Sequence, residues 1–267
     1  MADEISIRPV ADQAEARRAA ELLDRVWQER RVIGIPLLWA MAGHGGQVLA
    51  AFRGDEVVGT QVGVVGLREG KPALHSHITG VLPEVQHRGV GFLLKKAQRD
   101  WCLERGIERV TWTFDPMVAR NAYFNLVKLG AVAERFHRNY YGEMDDAFNR
   151  GERSDRVEVV WDLSSGRVRR ALGEIPREES EERNMVVSSP VIEDDDGRPI
   201  ISDVPADAGL MSVAVPSDYH ALRDRDTDLA HAWRDAVGDA LEKAFEFGFR
   251  ATSFSKPPNT AYWLEGP

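Results

Sequence analysis

Gln86-His87-Arg88-Gly89-Val90-Gly91 is the stretch of this sequence best built to hold an anion. Gly89 and Gly91 permit backbone conformations and close approaches that a Cβ would block. A glycine-rich loop that opens a helix aims several unbonded N–H groups, and the positive end of the helix dipole, at one point in space. Such a site suits a phosphate or pyrophosphate. Upstream, His75 and His77 are two residues apart. Strand alternation puts them on one face and Ser76 and Ile78 on the other. An imidazole, with its ordinary pKa of about 6.5, suits proton removal near neutrality. A second chemistry, through the thiol of Cys102, is weaker. It falls about three turns into the following helix, beyond the reach of the dipole that would activate it, and reads as a packing or surface thiol.

The elements that must position these groups follow from pattern. Leu74 to Val81 reads as a strand, ended by Pro83 and Glu84 because proline cannot donate to a ladder. From Phe92 the period turns helical: Leu93, Leu94, Ala97 and Trp101 fall within one arc, with Lys95, Lys96 and Arg99 opposite. Arg109 to Phe114 is a second strand, and the helix after it ends in Lys128-Leu129-Gly130-Ala131. A dinucleotide-binding unit is excluded: its third glycine position holds Leu94, and Glu108 precedes the next strand instead of ending it. No phosphate-binding P-loop pattern occurs either.

Gln86-x-x-Gly89-x-Gly91, between a strand and a helix, resembles the Q/R-x-x-G-x-G/A loop of the GNAT acyltransferases, and Lys128-x-Gly130 is similar to the ending of that family's next helix. The resemblance implies an α/β (by sheet type α+β) fold, a mixed central sheet flanked by helices, over residues 1–156. It implies that Gln86, His87, Arg88, Gly89, Val90, Gly91 and Phe92 cradle the pyrophosphate of an acyl-coenzyme A. It implies that the main chain of Gly80, Val81 and Leu82 meets the pantetheine arm, with Asn121 bonding it too. A backbone N–H there would polarise the thioester carbonyl, contributing ~3 kcal/mol to the transition state. His75 or His77 would be the base that deprotonates the acceptor amine, with Glu84 and His137 next in line. The family's usual thiolate-protonating tyrosine falls at Leu126, so Tyr123, Tyr140, Tyr141 or water must serve. The donor would be acetyl- or succinyl-coenzyme A, and the acceptor a small-molecule amine. A chain extended beyond the acyltransferase unit resembles a bacterial subgroup with N-succinyltransferases of amino acids. Arg30, Arg31, Arg135 and Arg138 are the candidates to meet a carboxylate.

Length and composition are compatible with this. The 267 residues, 43% hydrophobic and 29% charged, can bury one large core or two modest ones. A net charge of −9 argues against a general nucleic-acid binder. Nothing approaches a membrane-spanning apolar run, and the acidic N-terminus lacks a secretory h-region, so a cytoplasmic location without a membrane partner is the expectation. One cysteine excludes an internal disulfide and disfavours a cysteine-built metal site, and no metal is expected.

In chain order, Ile5 to Val10 alternates as a strand, Asp12 caps a helix with Glu15 three residues on, and residues 30–39 read as a loop or broken helix. Val48–Arg53 and Val57–Gly66 form an antiparallel pair. Residues 145–155 read as a linker, and Glu178 to Arg183 as a charge run. Residues 157–267 are expected to be a smaller α/β unit, strand-helix-strand-strand, echoing the second half of the GNAT fold without a cofactor loop. It would shape the acceptor side or a homodimer contact. Two other readings stay open, a non-catalytic acyl-coenzyme A sensor and an interaction protein in which the loop is only a turn.

Overall fold

The computed structural model describes residues 4–29, 32–142, 152–176 and 189–267. They fall into a first compact unit through Trp112, joined by Glu152, and a second from Thr113 to Gly142 and Arg153 to Pro267. The charge run Glu178 to Arg183 and most of the expected linker lie outside the described residues. Ser154 and Asp155, at that linker's end, are fully buried, and Asp155 takes a bidentate ion pair from Arg153 and accepts from the Asn139 amide. A buried carboxylate must be paired in this way, so these two residues are packed structure.

In the first unit the sheet runs β1 (Ile5–Pro9), β2 (Gly46–Arg53), β3 (Glu56–Arg68), β4 (Lys71–Val81) and β5 (Arg109–Phe114). The first four are antiparallel neighbours, and β5 joins β4 in parallel. Helix α1 (Gln13–Trp27) begins where expected: the Asp12 carboxylate accepts from the Glu15 amide, and Glu15 reaches back to the Ala11 amide and to Arg8. Pro36 opens a helix, α2 (Ile35–Gly43), in place of the expected broken stretch, because a proline's missing N–H costs nothing in a first turn. Two glycines let helices close on the sheet. A Cβ on Gly80 would lie 2.9 Å from Leu23 of α1, and one on Gly59 would lie 3.1 Å from Val90 at the start of α3 (Val90–Leu103).

Helix α3 corrects the expected face. It buries Val90, Leu94, Lys95, Gln98, Arg99 and Cys102, while Leu93 is 40% exposed. Apolar periodicity misplaced the inward stripe because the interface is partly polar. Lys95 and Gln98 bond to one another and to strand side chains, which lets them go inside.

The second unit orders its strands β7 (Arg156–Asp162), β6 (Val132–His137), β11 (Arg250–Phe254), β12 (Ala261–Glu265), β10 (Leu210–Ala214), β8 (Ser189–Asp195) and β9 (Arg198–Ile201), and a short helix, α5 (Gly166–Ala171), follows β7 in the chain. The turn Asp195-Asp196-Gly197-Arg198 joins β8 to β9 as a hairpin. The expected strand-helix-strand-strand is β10, then α6 (Tyr219–Arg225) with α7 (Thr227–Glu246), then β11 and β12. An approximate two-fold relates helix-strand-strand units within this sheet. Helix α4 (Ala119–Tyr123), continued by a π turn through Lys128, leads to β6 and β7 as α7 leads to β11 and β12. Both helices give way to a left-handed glycine, Gly130 at φ +70° and Gly248 at φ +87°. The third residue after each, Ala133 and Ala251, pairs with the other across the antiparallel β6–β11 contact. Each strand then bulges at the next residue, Glu134 and Thr252. Each helix packs on the other repeat's first strand, α7 on β6 and the π turn on β11.

Candidate functional site

Beyond β4 the chain makes a 3-10 turn over Pro83–Arg88, then Gly89 at φ +74°, then α3. Val85 and Val90 are fully buried and pin the turn from both ends, leaving Gln86, His87, Arg88 and Gly89 exposed between them. The Gly89 carbonyl takes the amides of Phe92 and Leu93, each at 3.0 Å, so the N–H groups of Gly89 to Gly91 precede the first intrahelical bonds of α3. Gln86 turns its side-chain amide back onto the Val81 carbonyl at 3.2 Å. Only a left-handed backbone needs a glycine at 89. At Gly91 the backbone is ordinary and a Cβ would meet nothing within 4 Å. The open space in front of that glycine is a cradle that a side chain would fill.

Strand β4 carries a bulge. Ile78 faces Val62 and Ser76 faces Gly63, so His77 is the extra residue. Two residues two apart that flank a bulge do not share a face. Ser76 points inward to Gln61 and Lys95, while Gly80, and with it Ile78, points toward α1. The expectation that Ser76 and Ile78 lie together is therefore corrected. His75 and His77 stay close, ring centroids 6.3 Å apart. His75 Nδ1 is 3.4 Å from Thr111 Oγ1, and desolvation lowers the pKa of His77 below the imidazole norm. Pairing of β4 with β5 covers Leu74 and His75 only, so the strand edge from the bulge to Val81 is bonded on its β3 side alone among the described residues. The Leu82 amide is committed to the Val58 carbonyl at 3.0 Å.

The remaining candidates are in the second unit. Asn121 is half-buried in α4. Tyr123 lies under Lys256, Nζ 4.8 Å from its ring centre. Leu126 is fully buried, so the position of the missing tyrosine faces core. Tyr140 and Tyr141 are exposed and stack edge to face at 4.7 Å, and Tyr141 Oη is 3.3 Å from Thr113 Oγ1. Desolvation first, then Tyr141 and Glu158, raises the pKa of Tyr140. His137 bonds Glu158 at 3.0 Å. Arg138 is engaged by Asp239 and Glu242, Arg135 is exposed, and Arg30 and Arg31 lie outside the described residues. Glu84 is exposed, 3.9 Å from Arg25.

Sequence reasoning missed the polar cluster beneath β4. Lys95 Nζ donates to Ser76 Oγ at 3.0 Å and to Gln98 Oε1 at 3.1 Å, and sits 3.7 Å over the Trp112 ring. Gln98 donates to Ser76 and to Gln47, and Gln61 to Thr79. Burial pushes the Lys95 amine down to about 7. The same burial pushes the Cys102 thiol up to about 12, which keeps it protonated and unreactive. The only available sequence signal was two glutamines, 47 and 61, bordering or inside otherwise apolar runs.

A cavity of about 460 Å³, lined in part by Pro9, Val48, Pro72, Trp101 and Ile107, lies at the start of β4, whereas the glycine turn follows its end. Among the described residues no three His, Cys, Asp or Glu side chains gather as a metal site, and no helix is long and apolar enough to cross a membrane.

Residues 14–126 match the family described as Acetyltransferase (GNAT) family. No curated protein matches the chain. Similar solved structures include a GNAT-family acetyltransferase from Streptococcus pneumoniae, 17% identical over 59% of this chain and 98% of that one, TM-score 0.48. The ribosomal-protein-S18-alanine N-acetyltransferase from Escherichia coli is 16% identical over 61% and 96%, TM-score 0.47. A GNAT acetyltransferase from Elizabethkingia anophelis, with acetyl-CoA bound, is 16% identical over 60% and 99%, TM-score 0.45.

Proposed function

We propose that this chain, whose residues 14–126 match the GNAT acetyltransferase family, is an acyltransferase that moves an acetyl or succinyl group from coenzyme A to the amine of a small molecule, with an amino acid as the acceptor. The observation that carries the reading is the turn from Gly89 to Gly91. It combines a left-handed glycine, a helix start with unbonded amides, and open space where a Cβ at Gly91 would stand. Those amides suit a pyrophosphate. The one-sided edge of β4 between His77 and Val81 suits an amide-bearing pantetheine arm, with Leu82 left out because its N–H is already bonded.

When bound, the acyl-coenzyme A supplies a thioester carbon open to attack. The residues of the chain do the rest. His77, kept neutral near pH 7 by desolvation, or His75 beside it, takes a proton from the acceptor amine as the new C–N bond forms. A backbone N–H on the free edge of β4 stabilises the oxyanion. As the C–S bond breaks, its electron pair leaves on sulfur, and the thiolate is protonated by Tyr123, Tyr140, Tyr141 or water. Buried Cys102 takes no part, so attack on the acyl group is direct.

We assign residues 1–156 to the acyltransferase domain and residues 157–267 to an extension that works in the cytoplasm as an acceptor-side or dimer element. A homodimer would form elsewhere than on the outer edge of β6, which β11 already covers. Leu126, buried where a proton donor is expected, favours a second reading, a non-catalytic acyl-coenzyme A sensor. A panel of amino acids and other amines, run with acetyl- and succinyl-coenzyme A and followed by thiol release, decides between them. Turnover supports the enzyme; binding without turnover on any amine supports the sensor; no binding overturns both.

A further inference from the structure

We propose that Lys95 is a positioning residue for this acyl transfer, acting through Ser76 to hold the bulge of β4 at His77. The inference rests on the reading of the site given above.

A bulge has to be selected against the regular register, since without it every side chain from Ile78 to Val81 would change face. The polar cluster makes that selection. Only with one extra residue at 77 do Ser76 and Thr79, three apart, face the same way, and Gln61 Nε2 reaches both, at 3.5 and 3.2 Å. Ser76 Oγ is also held by Lys95 Nζ at 3.0 Å and Gln98 Nε2 at 3.2 Å, and Gln98 is fixed by Gln47 at 2.8 Å. The bulged register in turn places Gly80 against Leu23, where no Cβ fits. It leaves the main chain of residues 77 to 81 along the edge that β5 does not pair.

The choice of a lysine is informative. Among the described residues no carboxylate bonds its amine; the partners are a hydroxyl, an amide oxygen and the Trp112 ring. Burying an amine so costs stability, and a methionine of similar length would fill the space without that cost. What the amine supplies is direction: a donor that fixes the Ser76 hydroxyl and so the backbone beside His77.

The test is Lys95→Met and Ser76→Ala, singly and together. The expected result is a kcat at least ten-fold lower in each, little further loss in the double variant because both act through one contact, and a thermal midpoint in Lys95→Met that is equal or higher. Independently of turnover, the amide resonances of residues 76 to 81 should shift in Lys95→Met while those of Gly89 to Gly91 stay in place. Values of kcat within two-fold of the parent, or β4 amides that do not move, overturn the proposal. A kcat loss that tracks a lowered midpoint also overturns it, by showing a merely structural role. Failure of the parent protein to bind coenzyme A would instead strike the functional reading, and the amide shifts would still report on the bulge.

Discussion

Lys95 should make stability rise with pH in a range where most proteins are flat. Its amine ordinarily titrates at 10.5, and burial moves that to about 7 in the folded chain. Desolvation of an ammonium costs several kcal/mol, against roughly 2 kcal/mol from a desolvated cation–π contact and the two hydrogen bonds, so the direction is downward. At ~1.4 kcal/mol per pH unit, the full difference between the two states is on the order of 3–5 kcal/mol. The group's folded pKa is depressed, so its stability contribution is complete above 10.5 and is lost as pH falls toward 7. Between those values the unfolded chain binds more protons. Cys102 works the other way: its raised folded pKa, about 12, removes stability only above the ordinary thiol value of 9.0. The clean window is therefore pH 7.5 to 9. Urea unfolding in that window should show the parent gaining about 2 kcal/mol relative to Lys95→Met. Parallel stability curves for the two proteins would refute the burial of this amine among neutral partners.

Other consequences are as direct. His77→Gln should lower the rate by roughly 10² to 10⁴ and abolish the acidic limb of the pH–rate profile. If His75→Gln does this instead, the base is its neighbour, and if neither does, His137 is next. Tyr123→Phe should cost far less if water protonates the thiolate. Cys102→Ala should retain activity and lose about 1 kcal/mol of stability by leaving a small void; a loss of about 100-fold with a trapped acyl-enzyme mass would revive a covalent route. Glu15, held at a pKa of about 2 chiefly by its bond from Arg8, contributes stability that is complete above 4.5 and lost as pH falls toward 2. Glu15→Gln should cost on the order of 1–2 kcal/mol at pH 7, allowing for the exposure of Arg8, and little at pH 2, measured by urea midpoints.

Much of this was legible because it was local. The glycine turn announced itself through residue types that only a left-handed backbone and a helix start require, and Asp12 announced the first cap. The strands of the first unit followed from residue pattern, and Cys102 from its depth in a helix. What was illegible depended on non-local partners. Lys95 and Arg99 looked like a solvated face because periodicity weighs side chains one by one, whereas Lys95 is buried with Ser76 and Trp112 of other elements and Gln98 of its own helix. The bulge at His77 changes strand parity, and nothing in the run of residues 74 to 81 marks an extra residue. The burial of Asp155 depends on Arg153 and on the Asn139 amide, sixteen positions away. The pairing of Ala133 with Ala251 could not be read from two strands 118 residues apart.

The central claim is that the Gly89–Gly91 turn holds the pyrophosphate of coenzyme A, and calorimetric titration of the parent and of Gly89→Asp tests it most directly. A Cβ at Gly89 meets nothing within 4 Å, and the cost is confined to the φ of +74°, about 1 kcal/mol, so the variant should stay folded. Its carboxylate would stand where phosphate oxygens are to sit. The parent should bind coenzyme A, and the folded variant should lose that affinity by 100-fold or more. Equal affinity in the two folded proteins would contradict it.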